Sequence, residues 1–78
     1  MIDIVRLTKA CEVAVGSRVS IEFNCNDDDM LRILFKWHDS HSGCCLSRTY
    51  HNATLKIVKD VTGVIIDDFI RHTAGDEK

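Results

Sequence analysis

Twice between Ser17 and His38 the side chains alternate with a period of two, and this constrains the fold more than any other feature of the chain. In "SRVSIEFNC" Val19, Ile21, Phe23 and Cys25 fall on one side, and Arg18, Ser20, Glu22 and Asn24 on the other. In "MLRILFKWH" Leu31, Ile33, Phe35 and Trp37 share a side, while Arg32, Lys36 and His38 take the other, with Leu34 interrupting the polar row. Successive strand residues point to opposite faces, so each stretch predicts a strand with one buried and one wet face. Between them "NDDD" is rich in residues that bond their own backbone, which predicts a turn. "SHSG" at 40–43 predicts a second turn and "CCLSRTYH" a third strand.

The period fixes which way the third strand faces. Leu46 and Tyr50 share a face with Phe35 and Trp37 if the hairpin loop is Ser40 to Gly43, a common length. Trp37 is then expected opposite Leu46, Ile33 opposite Tyr50, and His38 opposite Cys45 on the outer face. Arg48 falls on the apolar face opposite Phe35, where its stem packs while its head escapes, or where it meets a second copy at a seam.

A sheet with one apolar face needs a cover. Asp3 can cap a helix over residues 3–14 whose apolar positions are Ile4, Leu7, Cys11 and Ala14, and Gly16 supplies its stop. At the other end "NATLKIVKDVTGVIIDDFIRH" predicts a helix capped by Asn52, with Leu55, Val58, Ile65 and Phe69 inward. Lys56–Asp60 and Asp67–Arg71 are spaced as supporting pairs. Gly63 costs about 1 kcal/mol inside a helix and is where this segment is expected to break in two. Residues 72–78 are expected to form a frayed tail. Cys11 and Cys25, on apolar faces, predict small core residues. The expected architecture is one α+β domain over residues 1–78: helix, three-stranded antiparallel sheet, C-terminal helix, in two layers.

Such a chain buries only about 60% of the surface its unfolded form exposes, and domains of 78 residues often lean on a disulfide, a metal or a partner. A homodimer through the sheet edge or the first helix is therefore a candidate. No apolar run approaches the roughly 18 residues of a membrane span, and "MIDIVRL" lacks the apolar core of a secretory signal. A soluble, cytoplasmic protein with free thiols is expected, in which the sequon at Asn52 carries no meaning. Ten basic against twelve acidic residues, net −2, lack the basic excess of a nucleic-acid binder, so direct nucleic-acid binding is not expected.

"KWHDSHSGCCLSR" concentrates ligand types. His38, His41 and Cys45 are its candidate zinc ligands, because Cys44 and Cys45 are strand neighbours whose side chains diverge. The pattern lacks paired C-x2-C knuckles, and no cofactor is expected. His38 across from Cys45 could form a thiolate–imidazolium pair, but no orienting group or oxyanion hole accompanies it. No enzyme is expected. Asp27, Asp28 and Asp29, with Glu22, form an acidic hairpin tip and are the candidate partner-binding residues. The tip lacks the spaced ligands of a calcium loop. Arg18, Arg32, Lys36, His38 and His51 make a basic outer face that serves solubility or contact.

Helix, three strands, helix resembles the topology of the double-stranded RNA-binding domain. That resemblance places Lys56 and Lys59 of "HNATLKIVK" where the family carries phosphate-binding lysines, and implies an RNA-binding alternative. The order "IDIVRLTKACE", "VSIEFN", "MLRILFKW", "CLSRTYH" and a broken last helix also resembles small phage-encoded inhibitors of the anti-CRISPR type. This resemblance implies a viral, non-enzymatic protein in the host cytoplasm. It would occlude a host nucleic-acid-binding complex, such as a CRISPR effector, with Asp27, Asp28, Asp29 and Glu22 as contacts. Order of elements alone carries it.

Overall fold

The computed structural model describes residues 2–25, 29–39 and 42–74, the side chain of Ala74 excepted. Helix α1 spans Ile4–Val15. Asp3 caps it: its Oδ1 accepts the Arg6 amide at 3.1 Å, satisfying one of the donors a helix start leaves open. Gly16 ends it in the left-handed conformation, φ 73°, and donates its N–H to the Glu12 carbonyl, a conformation glycine adopts without a Cβ penalty. Leu7 and Cys11 are its buried residues.

Strands β1 (Val19–Cys25), β2 (Met30–His38) and β3 (Gly43–His51) form one antiparallel sheet in the order β1-β2-β3. Leu31, Ile33 and Phe35 are buried along β2, as the alternation predicts. The register of β3 differs from expectation by two residues. Phe35 faces Leu46, Ile33 faces Arg48, Leu31 faces Tyr50, Lys36 faces Cys45 and His38 faces Gly43. The hairpin closes between Asp39 and Ser42, where Asp39 N donates to Ser42 O at 3.0 Å and Ser42 N to Asp39 Oδ1 at 2.9 Å. Both registers leave a loop of the same length, and the Asp39 side chain favours the observed one by satisfying the Ser42 amide. A slip of two preserves parity, so each β3 side chain still faces the expected side.

The C-terminal segment breaks before Gly63, not at it. Helix α2 is the short Asn52–Lys56 and α3 runs Val61–Ala74. Asp60 heads α3, accepting the Gly63 amide at 3.1 Å, and its carboxylate also holds the Arg6 guanidinium at 2.8 and 3.0 Å. A Cβ on Gly63 would meet that carboxylate, so glycine here makes room for the cap. Asn52 is not the cap of α2; His51 takes that position, and Asn52 N donates instead to Asp29 O at 2.9 Å. Helix α3 includes His72 and Thr73, which were expected in the tail.

Helix α1 packs on α3, and together they cover one face of the sheet. The core joins Leu7, Cys11, Val19, Leu31, Ile33, Phe35, Leu55, Ile65 and Phe69. The Phe69 ring lies 4.7 Å from Phe35 and 5.4 Å from Trp37, centroid to centroid, within the favourable range for aromatic pairs. Thr62 is buried among these, its Oγ1 accepting the Asp3 amide at 2.8 Å, which ties the start of α1 to α3. Cys25, expected in the core, is exposed at the end of β1; Cys11 is fully buried. Among the described residues no helix is long and apolar enough to cross a membrane.

Candidate functional site: the uncovered face of the sheet

With both long helices on one side, no element among the described residues covers the other face of the sheet. Its centre is a column on β2: Met30, Arg32, Leu34, Lys36 and His38. The flanking columns carry Ser20, Glu22 and Asn24 on β1 and Gly43, Cys45, Ser47, Thr49 and His51 on β3. Long side chains therefore stand as a ridge between two rows of mostly small polar groups. Leu34 is partly buried within that ridge; Arg32, Lys36 and His38 are exposed.

Charge is unevenly distributed. Arg18, Arg32 and Lys36 set three cations on this side against one carboxylate, Glu22, so the face is formally +2 on a chain of net −2. Glu22 reaches Lys36 at 3.7 Å, both side chains about half exposed, an arrangement that contributes little to stability. A cavity of about 500 Å³ opens at one end, lined by Arg18, Ser20, Lys36, His38 and Cys45 among others and by the carboxylate-bearing Glu12, which accepts the Val19 amide at 3.1 Å. The face can receive carboxylates or phosphates. Its aromatic neighbours Phe35, Trp37 and Tyr50 all point to the helix side, so among the described residues the rings on this face are the imidazoles of His38 and His51.

Of the acidic candidates, Asp29 and Glu22 fall among the described residues and do not lie beside one another. Asp27 and Asp28 lie outside the described residues. Asp29 is exposed, with φ 65°. Glu22 pairs with Leu34 across the ladder and leans toward Lys36, away from the β1–β2 turn. Five residues separate Leu34 from Asp29, roughly 16 Å along a strand. Glu22 thus belongs to the basic face rather than to the turn.

The proposed thiol–imidazole pair is also rearranged. His38 sits over Gly43, and Cys45 lies beside Lys36. Cys44 turns to the helix side, its Sγ donating to Asp39 Oδ2 at 3.8 Å. Burial, then the Asp39 charge, pushes the Cys44 thiol up, the opposite of what a nucleophile or thiolate ligand requires. Among the described residues no three His, Cys, Asp or Glu side chains come together for a metal; His41 lies outside them. Lys56 ends α2, and Lys59 falls in the connector before α3, so no lysine row opens the last helix.

One polar cluster has no counterpart in the sequence reading. Asp68 on α3 accepts from Arg48 Nε at 2.9 Å and from the Tyr50 hydroxyl at 2.5 Å, and its Oδ1 lies 3.2 Å from His72 Nδ1. Its side chain is 14% exposed. Burial alone would raise its carboxyl; hydrogen bonds from Tyr50 and Arg48 outweigh this and hold it below the usual carboxylate range. Burial and the facing Asp68 push the Tyr50 phenol up, so the hydroxyl stays a donor. An arginine on the apolar side of β3 was the available signal, since it demands a carboxylate from the covering helix. The cluster pins α3 to β3; its members face the helix layer, away from the bare face. Neither a protein-family model, nor a curated protein, nor a solved structure matches the chain.

Proposed function

We propose that this chain is a small non-enzymatic protein-binding module that docks through the bare face of its sheet onto an acidic surface of its partner. The observation that carries this is the β2 ridge: Arg32, Leu34 and Lys36 stand above small polar flanks, with formal charge opposite to that of the chain as a whole. Interfaces of this kind place an apolar contact among charged groups that steer the encounter. Reversing the ridge with Arg32→Glu and Lys36→Glu leaves the buried core untouched, so binding and folding can be read separately. Loss of the captured partner with unchanged circular dichroism supports the proposal; undiminished capture refutes it.

A second reading keeps the resemblance to phage-type inhibitors, in which the acidic turn occludes a nucleic-acid-binding protein. Its support is Asp29, exposed beside the turn, with its carbonyl held by the Asn52 amide. This fixes one end of the turn to the sheet. Replacing Asp27, Asp28 and Asp29 with asparagine tests it by pull-down: partner binding that survives the change removes this reading and leaves the first standing.

A further inference from the structure

Among the described residues strand β3 is an edge of the sheet, bonded to β2 alone. The two backbone bonds that flank it, Asp39 N to Ser42 O and Asn52 N to Asp29 O, set the phase of the ladder. In an antiparallel pair, alternate residues exchange both bonds with the neighbour. Cys44, Leu46, Arg48 and Tyr50 therefore bond to β2, while Gly43, Cys45, Ser47, Thr49 and His51 turn their N–H and C=O groups outward.

Edges exposed in this way are usually blunted by charged side chains, inward-pointing charges, proline, bulges or short length. Over nine residues β3 carries neither lysine nor proline, and its one inward-pointing charge, Arg48, is paired with Asp68. The other edge differs, carrying Glu22 and following directly on Arg18. The core is also unfinished at β3. Leu31, Ile33 and Phe35 of β2 are buried, but Cys44, Leu46, Arg48 and Tyr50 are only half-buried. Cavities of about 610 and 380 Å³ open beside them, one lined by Trp37, Cys44 and Leu46 and the other by Arg48 and Tyr50.

We propose that β3 is the seam of a homodimer, in which two copies pair antiparallel to make one six-stranded sheet. The strand is complementary to itself in charge. Its outer row is Gly43, Cys45, Ser47 and Thr49 with His51 at the end, and the one fixed charge of its inner row, Arg48, is matched within its own subunit by Asp68. Full overlap of the nine residues sets Ser47 opposite the partner's Ser47, Cys45 opposite the partner's Thr49, and Leu46 opposite the partner's Arg48. No like charges meet across the strands. The pairing continues the apolar layer past Leu46 and Tyr50 and places two bare basic faces side by side.

The test is sedimentation equilibrium under reducing conditions, read with hydrogen exchange. A mass of twice 8.8 kDa is expected, with the Cys45, Ser47 and Thr49 amides protected more as protein concentration rises. Ser47→Pro removes an amide that points outward and serves no bond within the sheet, a place where edge proline is tolerated. It is expected to give a folded monomer, while Ser47→Ala remains dimeric. Should Ser47→Pro fail to fold, the wild-type exchange data decide alone. Fast, concentration-independent exchange at these three amides, a wild-type monomer at millimolar concentration, or a folded Ser47→Pro dimer of undiminished affinity would each overturn the proposal.

Discussion

Removing the Asp68 carboxylate tests whether the polar cluster under β3 holds the two layers together. Asp68→Ala deletes the acceptor for both Arg48 Nε and the Tyr50 hydroxyl. A hydrogen bond to a charged group contributes about 1.5–3 kcal/mol. Arg48 is 33% exposed and can turn to water, which places its share at or below the lower end of that range. The half-buried Tyr50 hydroxyl loses its acceptor, worth about 1 kcal/mol. A total of about 2 kcal/mol follows, or roughly 8–16 °C in a domain of this size. Asp68→Asn keeps an acceptor for Tyr50 and loses the charge, so about half that loss is expected. Urea unfolding followed by Trp37 fluorescence measures both, since that ring packs against Phe69.

The pH dependence has a definite sign. The folded state holds the Asp68 carboxyl below its ordinary value, so its contribution is complete above the unfolded carboxyl pKa of about 3.9. It disappears as pH falls through the folded value. The gap between wild type and Asp68→Ala is therefore constant near neutrality and closes below about pH 4. A loss under about 0.5 kcal/mol, or a gap unchanged into strong acid, refutes the assignment of Asp68 as the organising group.

Three further outcomes are expected. Phe69→Ala, which empties a fully buried position against Phe35 and Trp37, is expected to cost about 3–5 kcal/mol by denaturant melt; a loss below about 1 kcal/mol would contradict the packing. Alkylation of the native protein followed by mass spectrometry should modify exposed Cys25 and Cys45 and spare Cys11, whose thiol is buried and pushed up to about 11; rapid labelling of Cys11 before unfolding would contradict its placement. Gly63→Ala should leave the melting temperature nearly unchanged, because the added methyl displaces the Asp60 cap and offsets the helix-propensity gain of about 1 kcal/mol. In an Asp60→Ala background the same change should raise it, and an equal response in both backgrounds would rule out the steric link.

Strand bounds, side-chain parity and the caps of α1 were legible because each rests on local chemistry: alternation for β2, the Asp3 side chain, the φ of Gly16. The β3 register was not, because two loops of one length fit the same parity and the choice turns on a single Asp39 side-chain bond. The break in the C-terminal segment was sensed at Gly63 from propensity. A sharper signal lay three residues earlier, at Asp60, a good cap residue whose pairing with Arg6 needs the fold to be known. Arg48 on the apolar face was expected to pack its stem and free its head; the phase of α3 was needed to see that Asp68, rather than Asp67, meets it. The placement of Glu22 differs for a similar reason. Glu22 looked like part of an acidic tip by sequence proximity, and the ladder gives it to Lys36 on the open face.

Comparative affinity purification tests the central claim most directly. Wild type, Arg32→Glu with Lys36→Glu, and the helix-side control Lys9→Glu are used as bait in parallel, at low and high salt. The account predicts a stoichiometric partner retained by wild type and by Lys9→Glu, released by salt, and lost on charge reversal of the ridge. Equal recovery of that partner by the ridge variant would contradict it.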